Sequence, residues 1–68
     1  MIEFEKSNLY ENYYFCSDDI NISLAGYVYY NKELKQYIFL AENDETIIPY
    51  ENLIEIANFI KKLNDENK

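Results

Sequence analysis

Thirteen aspartates and glutamates, eight tyrosines, six lysines and one cysteine are the side chains here that can carry or transfer a proton. Histidine is absent, so neither a Ser-His-Asp triad nor a Cys/His pair can be assembled; both rely on imidazole as a base. Two carboxylates can hydrolyse a glycoside, but 68 residues leave no room for the deep cleft that must hold the sugar between them. Zinc needs a set of thiolates and imidazoles that one Cys and no His cannot supply. The acidic stretches "SDDIN" and "ENDET" attract cations, yet they lack the glycine and ligand spacing of an EF-hand loop and read as solvated turns. Gly26 is the only glycine, which rules out a glycine-rich phosphate loop. The expectation is a protein that is not an enzyme, with no catalytic residues, no cofactor and no metal.

Charge narrows the partners. A formal net charge of −7, with lysine as the only strong cation, argues against direct nucleic-acid binding, which needs cationic groups to replace phosphate counterions. The same charge steers the chain toward a basic protein. Cys16 cannot close an internal disulfide, and its aromatic neighbours in "YYFCS" point to a buried, inert thiol. No basic amino-terminal stretch precedes an apolar run, and no apolar run approaches the roughly 18 residues of a membrane span. Residence in the cytoplasm, with no membrane partner, is expected. Asn, Ile, Lys and Tyr have A/T-rich codons and are abundant, so tyrosine number alone says little. Position must carry the argument.

The elements that would position these groups follow from hydrophobic period. "MIEFE" alternates Ile2 and Phe4 against Glu3 and Glu5, and "NYYFCS" alternates Tyr13 and Phe15 against Tyr14 and Cys16, so both read as strands. "SDD" reads as a turn. From Asp19 to Tyr30 the period is strictly two, with Ile20, Ile22, Leu24, Gly26, Val28 and Tyr30 on one face and Asn21, Ser23, Ala25, Tyr27 and Tyr29 on the other. Gly26, on the aliphatic face, suggests close approach of the helix or a bulge. Tyr37 to Ala41 forms the next strand, and Ile47 and Ile48 add a short extended piece. From Tyr50 the period becomes 3.6, with Leu53, Ile56, Ala57, Ile60 and Leu63 in a stripe and Glu51, Glu55, Asn58 and Lys62 opposite. Pro49 suits the first turn, with Asn52 and Glu55 an alternative capping box, and Lys61 and Lys62 complement the dipole near the end. Ile54 and Phe59 widen the apolar arc, either to wrap onto the sheet rims or to meet another subunit.

The sum is an α+β fold: a three- to four-stranded antiparallel sheet with one C-terminal amphipathic helix packed on one face, a single domain over 1–64 and a short polar tail at 65–68. The parity of the "NKELKQ" loop decides which rings share a face, because a one-residue slip flips a strand. An odd loop gives one aliphatic face, with Val28 and Tyr30 beside Ile38 and Leu40, and leaves Tyr27, Tyr29, Tyr37 and Phe39 together on the other. An even loop mixes both faces. The odd loop is the expectation.

One helix covers one face, so the other is left for solvent or a partner. Tyrosine is enriched at interface centres and supplies contact area at low entropic cost. Carboxylates gather in small groups along the chain: Glu3 with Glu5 on one strand face, Glu51 with Glu55 a helical turn apart, and Glu42, Asp44 and Glu45 in one loop. Either these are ordinary solvated acids or they face a basic, nucleic-acid-binding site on another protein. In size, acidity, absence of arginine and tyrosine-rich strands, the chain resembles small phage-encoded inhibitors of the anti-CRISPR kind. That resemblance implies an inhibitor whose partner is a nuclease or CRISPR effector complex in a bacterial host. The expected partner-binding residues are Tyr27, Tyr29, Tyr37, Phe39, Glu42, Asp44 and Glu45. The alternatives are a homodimer formed through the aromatic sheet face or the Phe59 flank, and an immunity protein or antitoxin neutralising a basic toxin.

Overall fold

Alternation and turn chemistry give four strands in the computed structural model, which describes residues 1–18 and 23–67. β1 (Ile2–Lys6), β2 (Tyr13–Asp18), β3 (Ser23–Asn31) and β4 (Gln36–Ala41) form one antiparallel sheet in the order β1-β2-β3-β4, and α1 (Tyr50–Glu66) follows. This is the α+β layout that the change of period implies. Ser17 and Asp18, expected in a turn, are instead the last residues of β2, opposite Glu3 and Ile2. Asp19, Ile20, Asn21 and Ile22, expected at the start of the long strand, lie outside the described residues. Ile47 and Ile48 form no strand; Ile48 packs against the core while Ile47 is exposed.

Strict alternation in β3 breaks at one place. Cys16 pairs with Gly26, but Ser17 pairs with Leu24, so Ala25 is the extra residue of a β-bulge. Ala25, expected on the outer face, is therefore buried in the core at 7% exposure. A bulge stands beside Gly26, but the close neighbour is β4 rather than the helix. A Cβ on Gly26 would run into the Leu40 carbonyl oxygen and lie 2.7 Å from Phe39 Cζ. The Phe39 ring thus occupies the space over the glycine, which compensates for the missing side chain.

The β3–β4 hairpin closes differently from expectation. Asn31 pairs with Gln36, so the loop is Lys32 to Lys35, four residues and even. Asn31 sets this length: its Oδ1 accepts the Leu34 N–H at 2.9 Å, its carbonyl accepts the Lys35 N–H at 2.8 Å, and Lys35 takes the left-handed conformation at φ 57°. Val28 consequently sits opposite Phe39 and Tyr30 opposite Tyr37, whereas Tyr27 sits opposite Leu40 and Tyr29 opposite Ile38. Tyr37 and Phe39 belong to the helix side of the sheet, and Ile38 and Leu40 belong to the outer side. Tyr37 is only 6% exposed, and its hydroxyl donates to Asn12 Oδ1 at 3.0 Å.

The helix begins after Pro49, whose carbonyl accepts the N–H groups of Asn52 and Leu53 at 3.0 Å each, so the Asn52/Glu55 capping box is not the start. It runs on to Glu66, through part of the expected tail, so the last turn carries no base and Lys61 instead pairs with Asp65 at 3.0 Å. Its packed side is turned away from the expected stripe. Ile56 is buried, and Ile60 and Leu63 are half-buried, but Leu53 is 48% exposed and Ala57 is exposed, while Asn52 is buried and Glu55 half-buried. Contacts to the two sheet edges account for this. At the β1 edge Glu55 Oε1 accepts the Ile2 N–H at 3.4 Å, and at the β4 edge Asn64 Oδ1 accepts the Tyr37 N–H at 2.7 Å. Edge strands carry backbone groups that need partners, and these two polar side chains supply them. Phe59 wraps onto the rim, stacked on Phe4 at 4.0 Å and edge-on to Tyr14 at 5.1 Å.

Beneath the helix, Val28 and Cys16 are wholly buried, with Ile2, Tyr37, Ile56 and Ala25 around them. Burial pushes the Cys16 thiol up to about 12 from the ordinary 9.0. The folded state holds the proton that the unfolded chain releases above pH 9, so stability is full below pH 9 and falls as pH rises toward 12. Tyr37, raised chiefly by burial, acts in the same direction. Thermal melts are expected to drop from about pH 9 upward, by as much as about 1.4 kcal/mol per pH unit from the thiol. A Cys16→Ala variant should show a shallower fall; a melting temperature flat from pH 8 to beyond about 10 would contradict this assignment.

Candidate protein-binding face

The side of the sheet away from α1 is set by the registers. Tyr13 pairs with Tyr29 and Phe15 with Tyr27 across β2 and β3, so the four rings share one face. Glu5, directly opposite Phe15, and Glu3, opposite Ser17, continue that face onto β1, and Ile38 and Leu40 continue it onto β4. Tyr13 stands at the centre. Its ring centroid lies 5.5 Å from Tyr10, 5.7 Å from Phe15, 5.6 Å from Tyr27 and 5.8 Å from Tyr29. Phe15 and Tyr27 close the group edge-on at 5.9 Å. Tyr10 joins from the β1–β2 loop, where Ser7 Oγ accepts the N–H groups of Leu9 and Tyr10 at 3.1 Å each and fixes the turn.

Glu42 follows β4 directly. Its N–H donates to the Ala25 carbonyl at 3.0 Å, which brings the carboxylate alongside β3, and Oε2 accepts the Tyr27 hydroxyl at 2.6 Å. A hydrogen bond from a neutral donor to a charged acceptor at this length is among the stronger kinds. It raises the Tyr27 phenol above its ordinary value, because the bond holds the proton. The Tyr13 phenol is raised too, first by burial among the rings, then by Tyr10, Tyr29 and Glu42. Carboxylates thus flank the rings from two sides: Glu3 and Glu5 on β1, and Glu42 beside Tyr27.

Of the residues expected at this surface, Tyr27, Tyr29 and Glu42 stand together on the uncovered side. Tyr37 and Phe39 do not, because the four-residue loop turns them to the helix. Asp44 and Glu45 are exposed in the turn closed by Asn43 and Thr46, in which Asn43 Oδ1 accepts the Glu45 N–H at 2.8 Å. Glu45 borders a shallow hollow with Ile2, Ile48 and Asn52, not the rings. Sequence reasoning left Tyr10, Tyr13 and Phe15 out of the surface. The signal for two of them was present: Cys16 is the residue of "YYFC" most suited to burial, and alternation then sends Tyr13 and Phe15 to the other side.

Among the described residues, no three acidic or cysteine side chains gather as a metal-ligand set, and no helix is long and apolar enough to cross a membrane. The class that fold and face define is a four-stranded antiparallel sheet with one carboxy-terminal helix and an uncovered aromatic side rimmed by carboxylates. Comparisons with protein-family models, curated proteins and solved structures give no match to the chain.

Proposed function

We propose that this protein is a non-enzymatic inhibitor that covers the basic nucleic-acid-binding site of a nuclease in the cytoplasm of a bacterial host. In this it would act in the manner of the anti-CRISPR proteins it resembles in size, charge and layout. The observation that carries the reading is the aromatic sheet side with carboxylates at two margins. Rings supply contact area that excludes water, and carboxylates at the rim supply the field that a phosphate backbone would otherwise offer to lysines and arginines. A net charge of −7 speeds encounter with such a site and disfavours nucleic acid itself as the ligand. Immobilised protein incubated with bacterial lysate at low salt is expected to retain a basic nucleic-acid-processing enzyme that added DNA releases. Recovery of none would overturn the reading.

A second reading, a homodimeric module, draws on a different surface. Tyr50, Leu53 and Ile54 are exposed along the outer side of α1, with Ala57 between successive turns. An antiparallel pairing of two helices over this stripe sets Tyr50 of one copy near Ala57 of the other and Leu53 near Ile54. Phe59 is excluded from such a contact because it is committed to Phe4 and Tyr14. Sedimentation as a strict monomer at high concentration would remove this reading.

A further inference from the structure

We infer that the aromatic face is built to take arginine side chains of its partner in preference to lysine, with a guanidinium lying over Tyr13 and Tyr27 and paired with Glu42. This rests on the reading of that face as the contact for a basic protein and adds which cation it selects. Three observations support it. Tyr13 and Tyr27 stand side by side with ring centroids 5.6 Å apart on the side of the sheet that α1 leaves open, so one planar group can meet both rings. Glu42 is already oriented by the Tyr27 hydroxyl at 2.6 Å, and a carboxylate has sites for about four hydrogen bonds, so acceptor capacity remains beside the rings. Glu5 directly opposite Phe15 repeats the pairing of ring and carboxylate on the β1 side.

A guanidinium fits such a site in two ways at once. It is planar and weakly hydrated, so it stacks on a phenol ring, and its fork of N–H donors matches a carboxylate edge. An ammonium is a compact, strongly hydrated charge that gains from the carboxylate but loses water to approach the ring. The full preference therefore needs both the ring and the acid. Each alone favours arginine less than the two together.

The test uses two synthetic peptides of equal length and charge, one with arginines and one with lysines at the same positions in a Gly/Ser background, titrated at low salt. The arginine peptide is expected to bind about tenfold more tightly. Tyr13→Ala and Glu42→Gln should each shrink that ratio toward one, while Tyr13→Phe, which keeps the ring, should preserve it. Glu42 is exposed, so Glu42→Gln remains informative if Tyr13→Ala fails to fold. Equal affinity of the native protein for both peptides would overturn the arginine preference and leave the basic-partner reading standing. Failure of both peptides to bind at low salt would overturn both readings.

Discussion

Gly26→Ala is expected to lower the melting temperature by about 10–20 °C or to prevent folding outright. The added methyl has nowhere to go: it meets the Leu40 carbonyl oxygen, a backbone atom fixed by the β3–β4 ladder, and Phe39 Cζ and Cε1 at 2.7 and 2.9 Å. A flexible side-chain tip could swing aside, but a ladder carbonyl cannot move without loosening the strand pair. Overpacking of this kind costs about 1–3 kcal/mol, and each kcal/mol shifts the midpoint of a domain this small by roughly 4–8 °C. Because part of the clash is with backbone, the upper half of that range is expected. Thermal unfolding followed by circular dichroism reads the effect, and a midpoint within about 2 °C of the native protein would mean that Phe39 does not lie over the glycine.

The Tyr27→Ala, Tyr29→Ala double variant is expected to do the opposite: keep the fold and lose the partner. Both rings lie on the side of the sheet that α1 leaves open, and their loss removes cross-strand contacts with Tyr13 and Phe15 rather than packing under the helix. Such surface pairs are worth about 0.2–1 kcal/mol each, so for the three pairs a loss of no more than about 3 kcal/mol in stability is expected. Affinity for the captured enzyme should fall at least about a hundredfold, since aromatic residues at the centre of a contact carry a large share of its energy. Tyr37→Ala is the contrasting change. Tyr37 is packed in the core with its hydroxyl bonded to Asn12, and the change removes both ring and bond, so that variant should unfold. If instead the double variant unfolds, the outer rings are core and the face is not a free surface.

Both expectations rest on registers that could be read from the chain only in part. The strands and the helix were legible because their periods differ: "MIEFE" alternates cleanly, and the residues after Tyr50 repeat every three to four. Which rings share a side was not legible, because it turns on one residue of loop length. The β3–β4 loop carries neither glycine nor an Asn-Gly pair, and Lys35 enters the left-handed region without belonging to a residue type that favours it. The clue lay in Asn31, whose side chain caps the turn at Leu34 and so specifies four residues. Ala25 was misassigned for a related reason: a bulge adds a residue without leaving a compositional mark. The rotation of α1 was hidden because polar residues, Glu55 and Asn64, pin it to strand edges, and hydrophobic period says nothing about such bonds.

On the surface itself, Tyr27, Tyr29 and Glu42 were legible from the length of β3 and the acid that follows β4. Tyr13 was harder to place, since its neighbours come from three elements: Tyr10 in the β1–β2 loop, Phe15 on its own strand, and Tyr27 and Tyr29 on β3. Only the β2–β3 register brings them together.

The central claim is that the aromatic side of the sheet, with its rim of carboxylates, takes the place of nucleic acid on a basic enzyme. The most direct measurement is the affinity of the protein for the enzyme it captures, followed across rising ionic strength and in the presence of duplex DNA. The account predicts affinity that weakens steeply with salt and complexes in which protein and DNA exclude each other. Affinity indifferent to salt, or a stable complex that holds both protein and DNA at once, would contradict it.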